Sequence, residues 1–200
     1  MNELLLPYDG RVEFESRYGY RELNGKTVWH NGIDLVGLDS KTILSPCEGT
    51  VKSSTIITDT NDNTWEWGNY VRIDYKDISI YLCHMSKRLV EVGDHVYPGQ
   101  PIGIEGNTGY SFGSHCHFEC RRNNCPFNPC DMLGIYNGYG IYQNKEIDGI
   151  HDWSKDAVKW AIRNGILKGY SNSGYEYKLS EPITREEMIV FLYRFYTNLN

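Results

Sequence analysis

Ser114-His115-Cys116-His117-Phe118-Glu119 places two histidines one residue apart, and they can share a face only if the segment is a strand. In a helix the two rings would point in nearly opposite directions. Cys116, Phe118 and Cys120 then fall on the other face and read as core. The strand offers two imidazoles to one side and an apolar row to the other.

A second stretch, Trp29-His30-Asn31-Gly32-Ile33-Asp34-Leu35-Val36, supplies partners for them. His30 and Asp34, four apart, share a face in a helix or a strand. Gly32 and the run Ile33, Leu35, Val36 favour an extended or turning backbone. A catalytic zinc takes three protein ligands and leaves one position for water, and two imidazoles with a carboxylate are an acceptable set. His30, Asp34 and one of His115 or His117 would fill it.

These residues carry a family resemblance. His30-x-x-x-Asp34, Tyr81-Leu82-Cys83-His84-Met85-Ser86 and His115-x-His117-Phe118-Glu119 stand in the order found in the LytM/lysostaphin-like zinc endopeptidases, peptidase family M23. The resemblance runs from about Pro7 to Met132 and takes in Tyr18-Gly19-Tyr20-Arg21, Trp67-Gly68-Asn69-Tyr70-Val71 and Val92-Gly93-Asp94-His95-Val96-Tyr97-Pro98-Gly99-Gln100. It implies one zinc ion held by His30, Asp34 and His117, with His84 and His115 as an unligated catalytic pair. It also implies that the strands pack face to face around an open groove and that the substrate is bacterial peptidoglycan peptide. Glu119, on the face of His117, reads either as a group that orients that ligand or as a solvent-facing carboxylate.

Between Thr42 and Gly106 short apolar or alternating runs are broken by turn residues. Val51 to Ile57, Tyr70 to Tyr75, Ile78 to Leu82, Val90 to Val96 and Pro101 to Ile104 are the expected strands of an antiparallel, mainly β catalytic domain. The Val92 to Gly103 stretch also resembles the hairpin of biotinyl and lipoyl carrier domains. Those carriers present a lysine on a turn soon after it, and no lysine lies between Lys87 and Lys145. The hairpin therefore reads as scaffold, with His95 a solvated side chain.

The formal charge of −6 gives no basic footprint for nucleic acid. No apolar run approaches the roughly 20 residues of a membrane span. Met1 to Pro7 has no basic start, apolar stretch or cleavage site, so no secretory signal is expected and a phage or prophage lysin is favoured over an exported autolysin. Six cysteines without an export signal read as buried or loop thiols. Cys116 and Cys120 would lie about 13 Å apart along a strand, too far for one ion. The Pro126 to Pro129 loop leaves a Cys125 to Cys130 link open.

From Gly134 to Gly149 the chain is rich in glycine, tyrosine and asparagine and reads as a connector between a 1–133 peptidase domain and a small helical 150–200 domain. There the period becomes helical. Trp153, Ala157, Trp160, Ala161 and Asn164 mark one helix that Gly165 stops. Thr184-Arg185-Glu186-Glu187 is a capping box opening a second, whose apolar face is Met188, Ile189, Leu192 and Phe195.

Trp153-Ser154-Lys155-Asp156-Ala157, Gly165-Ile166-Leu167-Lys168-Gly169-Tyr170 and Ile183-Thr184-Arg185-Glu186-Glu187 resemble a single S-layer homology repeat. The resemblance implies anchoring to a secondary cell-wall polymer, with the Thr184-Arg185-x-Glu187 motif in the binding site. Such repeats usually come in threes, so a lone copy implies weak binding or a homo-oligomer. The reading is a wall-targeted peptidoglycan endopeptidase; the alternative is an inactive wall-binding or virion protein retaining the same fold.

Overall fold

The computed structural model describes residues 4–62, 64–144, 154–164, 166–167 and 182–198. Along the chain run β1 (Arg11–Ser16), β2 (Gly19–Leu23), β3 (Lys26–His30), β4 (Ile33–Gly37), β5 (Thr42–Leu44), β6 (Gly49–Ile56) and β7 (Asn69–Tyr75). Then come β8 (Ile78–Cys83), β9 (Lys87–Arg88), β10 (His95–Val96), β11 (Pro101–Ile104), β12 (Cys116–Arg122), β13 (Cys125–Phe127), α1 (Cys130–Leu133) and β14 (Gly140–Gln143). Two further helices follow, α2 (Lys155–Arg163) and α3 (Arg185–Asn198).

The main sheet has the order β10-β6-β7-β8-β12-β4-β1-β14, with β13 also on β12. All its pairings are antiparallel. β12 lies between β8 and β4 because its inward row, Cys116, Phe118 and Cys120, is wholly buried and its flanking strands add Ile80, Leu82, Ile33 and Leu35 to one core. A second sheet, β5-β11-β9, closes that core from the opposite side through Ile43 and Ile102. The mainly antiparallel β architecture expected from the alternating runs is thus observed. Phe118→Ala would leave a cavity where the layers meet, and about 3–5 kcal/mol of stability should be lost in denaturant unfolding.

Three segments differ from expectation. The Val90 to Val96 run is strand only at His95–Val96. Gly93 takes φ +99° and the Asp94 carboxylate accepts the Glu91 N–H at 2.8 Å, so a turn interrupts the run. Within the expected 134–149 connector, β14 pairs with β1 and extends the main sheet. Asn144 fixes its end: its Oδ1 accepts the Leu6 N–H at 2.7 Å, and its Nδ2 donates to the carbonyls of Leu6 at 3.0 Å and Tyr8 at 3.2 Å. The main sheet therefore takes in a strand beyond Leu133, ending at Gln143. Lastly, Leu4, Leu6 and Tyr8, ahead of the first strand, are core residues.

All six cysteines are free thiols, Cys125 exposed and the rest buried; the Cys125 to Cys130 link is not formed. In the C-terminal part the Thr184 hydroxyl accepts the Glu187 N–H at 3.1 Å and Glu187 Oε2 accepts the Thr184 N–H at 2.7 Å, the reciprocal bonds of a capping box. Met188, Ile189, Leu192 and Phe195 remain exposed, Phe195 meeting Trp160 with ring centroids 6.3 Å apart. Trp153, Gly165 and the Lys168-Gly169-Tyr170 stretch of the S-layer homology motif lie outside the described residues. Among the described residues no helix is long and apolar enough to cross a membrane.

Candidate metal centre

Four strands bring the site together. In the β12–β4 ladder His117 lies opposite Asp34, and in the β12–β8 ladder it lies opposite Cys83, so His84 follows directly beyond that pairing. His30 ends β3, and two residues separate it from the start of β4. Gly32 makes this approach possible, because a Cβ there would stand 2.8 Å from the His117 ring and 2.5 Å from the Phe118 carbonyl oxygen. A Nε2 or Nδ1 of each histidine and one Asp34 oxygen all lie within 4.8 Å of one another.

Hydrogen bonds on the far side of each ring determine what faces the centre. His30 Nδ1 lies 2.9 Å from the Arg17 carbonyl, which can only accept, so Nδ1 carries the proton and Nε2 presents a lone pair. His117 Nε2 lies 3.1 Å from Glu119 Oε2, so it donates and Nδ1 is the bare nitrogen. Those two lone pairs are 2.9 Å apart, and Asp34 Oδ1 is 3.2 Å from His30 Nε2 and 3.1 Å from His117 Nδ1. With both rings in these neutral tautomers three acceptors converge, a place for either a proton or a metal ion. Their arrangement fits a cation.

The proton affinities mark the same point. Burial works against a charge on His117, yet hydrogen bonds and charge from Asp34 and Glu119 outweigh it and push the imidazole up to about 9. Burial would also raise Asp34, but hydrogen bonds from His117 and His30 hold it well below the usual carboxylate range. A positive charge is favoured between the three groups, and a metal ion competes with the proton for that place.

His84 and His115 stand beside this cluster without joining it. Their ring centroids are 4.7 Å apart, and His115 Nε2 is 3.6 Å from Asp34 Oδ1. His84 Nδ1 donates to the Thr108 carbonyl at 2.8 Å and His115 Nδ1 to the Gly113 carbonyl at 2.9 Å, leaving each Nε2 as the free nitrogen. His84 sits at φ +65°, a left-handed backbone that residues other than glycine seldom adopt. Burial, with the charges of His117 and His115, lowers its imidazole to about 3, so it is held neutral.

All five histidine and aspartate positions singled out from the sequence therefore meet at one place. His95 does not; it is a half-exposed partner of Glu48 at 3.0 Å. One group, Arg21, was not singled out for a role. Arg21 Nη1 bonds Asp34 Oδ2 at 2.7 Å, occupying one carboxylate oxygen and leaving Oδ1 to the centre. Glu119 is buried rather than solvent-facing and is paired with Arg121 as well as His117. The Tyr18-Gly19-Tyr20-Arg21 motif was the only trace of the arginine.

An antiparallel sheet bearing a His-Asp-His cluster flanked by two spare imidazoles is the architecture of a class of β-sheet metallopeptidases. Within that class the chain belongs to peptidase family M23, whose model matches residues 28–129, just over half of the chain. The S-layer homology domain model matches residues 147–189. Peptidoglycan DD-endopeptidase ShyC of Vibrio cholerae is 34% identical over 128 residues, 62% of this chain and 28% of that protein. Among solved structures, the catalytic domain of the antimicrobial peptidase lysostaphin from Staphylococcus simulans aligns with a TM-score of 0.52 at 27% identity, covering 61% of this chain and 92% of that domain. A mutant catalytic domain of the prophage-encoded M23 protein EnpA from Enterococcus faecalis gives 0.50 at 28%, covering 64% and 92%. The chain spans between 22% and 34% of the length of the first curated relatives it matches.

Proposed function

We propose that the chain is a zinc endopeptidase that hydrolyses peptide bonds of bacterial peptidoglycan, with His30, Asp34 and His117 as ligands of one ion and His84 and His115 as the catalytic pair. The observation that carries this reading is the convergence of three lone-pair acceptors with two free imidazole nitrogens beside them. We further assign the C-terminal helices to a module that binds a wall polymer through the Thr184 to Glu187 region, and the whole chain to a lysin. The S-layer homology match and the likeness to a prophage-encoded relative support those assignments.

When bound, zinc supplies Lewis acidity, polarising a scissile carbonyl and acidifying a water. The chain's own residues supply the rest. Asp34 brings one negative charge and two neutral imidazoles bring none, so the donor set keeps the centre electrophilic. The Nε2 atoms of His115 and His84 divide between them proton removal from the attacking water, stabilisation of the developing oxyanion and protonation of the leaving amine. Both rings are already fixed in the required tautomer by backbone carbonyls, which spares reorganisation during the reaction.

Glu119 holds His117 from behind. Glu119→Ala should weaken zinc affinity about 10–100-fold, the usual cost of losing such a partner, read by competition with a coloured chelator. The overall proposal is tested by incubating the purified protein with peptidoglycans of different cross-link chemistry, with and without a chelator, and identifying the freed ends. New amino termini that vanish with chelator and return with zinc are expected. Release of reducing sugars instead would place the protein in another enzyme class.

A further inference from the structure

We infer that Glu105 is a positioning residue for the His84–His115 pair: its buried carboxylate anchors the backbone segment wedged between the two histidines and grips Ser114 immediately ahead of His115. The inference rests on the catalytic roles proposed above for those imidazoles.

The Glu105 side chain is 0% exposed, yet it makes no contact with the metal ligands among its hydrogen bonds. Oε2 accepts the Tyr8 hydroxyl at 2.7 Å and the Gly37 N–H at 2.9 Å. Oε1 accepts the Lys41 ammonium at 2.8 Å and the Ser114 hydroxyl at 2.7 Å. Four donors from three segments therefore meet on one buried group, which fixes it far better than a surface bond would.

The backbone around Glu105 reaches both histidines. Its carbonyl accepts the Ser86 hydroxyl at 2.9 Å, and Ser86 N–H bonds the Ile104 carbonyl at 2.9 Å, two residues beyond His84. On the other side the Gly106 carbonyl accepts the His115 N–H at 3.1 Å in an isolated bridge. Gly106 is pressed so closely on the first segment that a Cβ would stand 2.8 Å from the His84 carbonyl oxygen and collide with Ser86 N. Movement of this wedge bears directly on the spacing of the two imidazoles, whereas none of the side-chain hydrogen bonds of Glu105 goes to His30, Asp34 or His117.

The chemistry requires a carboxylate. Tyr8 and Ser114 can rotate their hydroxyls to accept, but the Gly37 N–H and the Lys41 ammonium can only donate. One of these fixed donors sits on each oxygen, so the amide nitrogen of a glutamine would oppose a donor in either orientation. Glu105→Gln therefore breaks the anchor although it preserves shape.

The test uses the zinc-loaded full chain and a soluble cross-linked muropeptide. Ser114→Ala should lower kcat about tenfold, and Glu105→Gln about a hundredfold, the scale of a sub-ångström to ångström misplacement. KM and zinc content should not change, and Ser114→Thr, which keeps the hydroxyl, should restore kcat. In long-range 1H–15N spectra the His115 and His84 ring signals should move in Ser114→Ala and Glu105→Gln, while those of His30 and His117 stay. Unmoved His115 and His84 signals in Ser114→Ala overturn the inference, as does kcat falling only with the loss of folded protein. If wild type cleaves nothing but the ring signals respond as stated, the catalytic reading fails while the anchoring by Glu105 stands.

Discussion

His30→Ala should emerge from purification without zinc and without measurable hydrolysis. Nε2 of His30 is one of three donors, and its ring is locked toward the centre by the bond to the Arg17 carbonyl. Taking about 10–16 kcal/mol for a four-ligand protein zinc site as a guide, one ligand is worth about 3 kcal/mol, on the order of a hundredfold in affinity. Removing it also leaves Asp34 and His117 sharing a proton, which opposes reoccupation by metal. The fold should survive, because His30 ends a hairpin outside the main core cluster. Metal analysis against protein concentration, with a parallel unfolding curve, checks the result; a stoichiometric zinc content in folded His30→Ala would remove His30 from the ligand set. Asp34→Asn should behave alike, since it keeps the shape but deprives Arg21 and the cation of their common counter-charge.

The elements that form the site were legible in the sequence because strands advertise themselves through alternation. Cys116, Phe118 and Cys120 mark one face of β12, so His117 must occupy the other. His30-Asn31-Gly32-Ile33-Asp34 similarly combines two donors with the one residue that tolerates the approach of His117. What escaped depends on contacts remote in sequence. Glu105, an acid between Ile104 and Gly106, looks like a solvated end of a strand, and only folding brings Tyr8, Gly37, Lys41 and Ser114 to it. β14 is composed of glycine, isoleucine, tyrosine and glutamine and carries no core pattern, since as an edge strand it owes its conformation to β1. The Asn24-Gly25 turn between β2 and β3 was a local signal that could have been read: both residues take positive φ, as a two-residue hairpin of that composition demands.

His115→Ala should retain its zinc and lose turnover. Its Nε2 stands 3.6 Å from an Asp34 oxygen already facing His30 and His117, and it lies outside the His30-Asp34-His117 cluster, so deletion subtracts nothing from the ligand field. It does remove one of the two free imidazole nitrogens found at the centre among the described residues. General acid–base assistance of this kind contributes about 10²–10⁴-fold, and kcat should fall by that factor with little change in KM. His84→Ala should fall in the same range, with some loss of stability because it removes the ring's bond to the Thr108 carbonyl. The double variant should be scarcely worse than either single one, because a proton path with one member missing is already broken. Zinc content decides between the roles: His115→Ala protein that folds but holds no metal would make His115 a ligand, and His117, with Glu119 behind it, would then need another assignment.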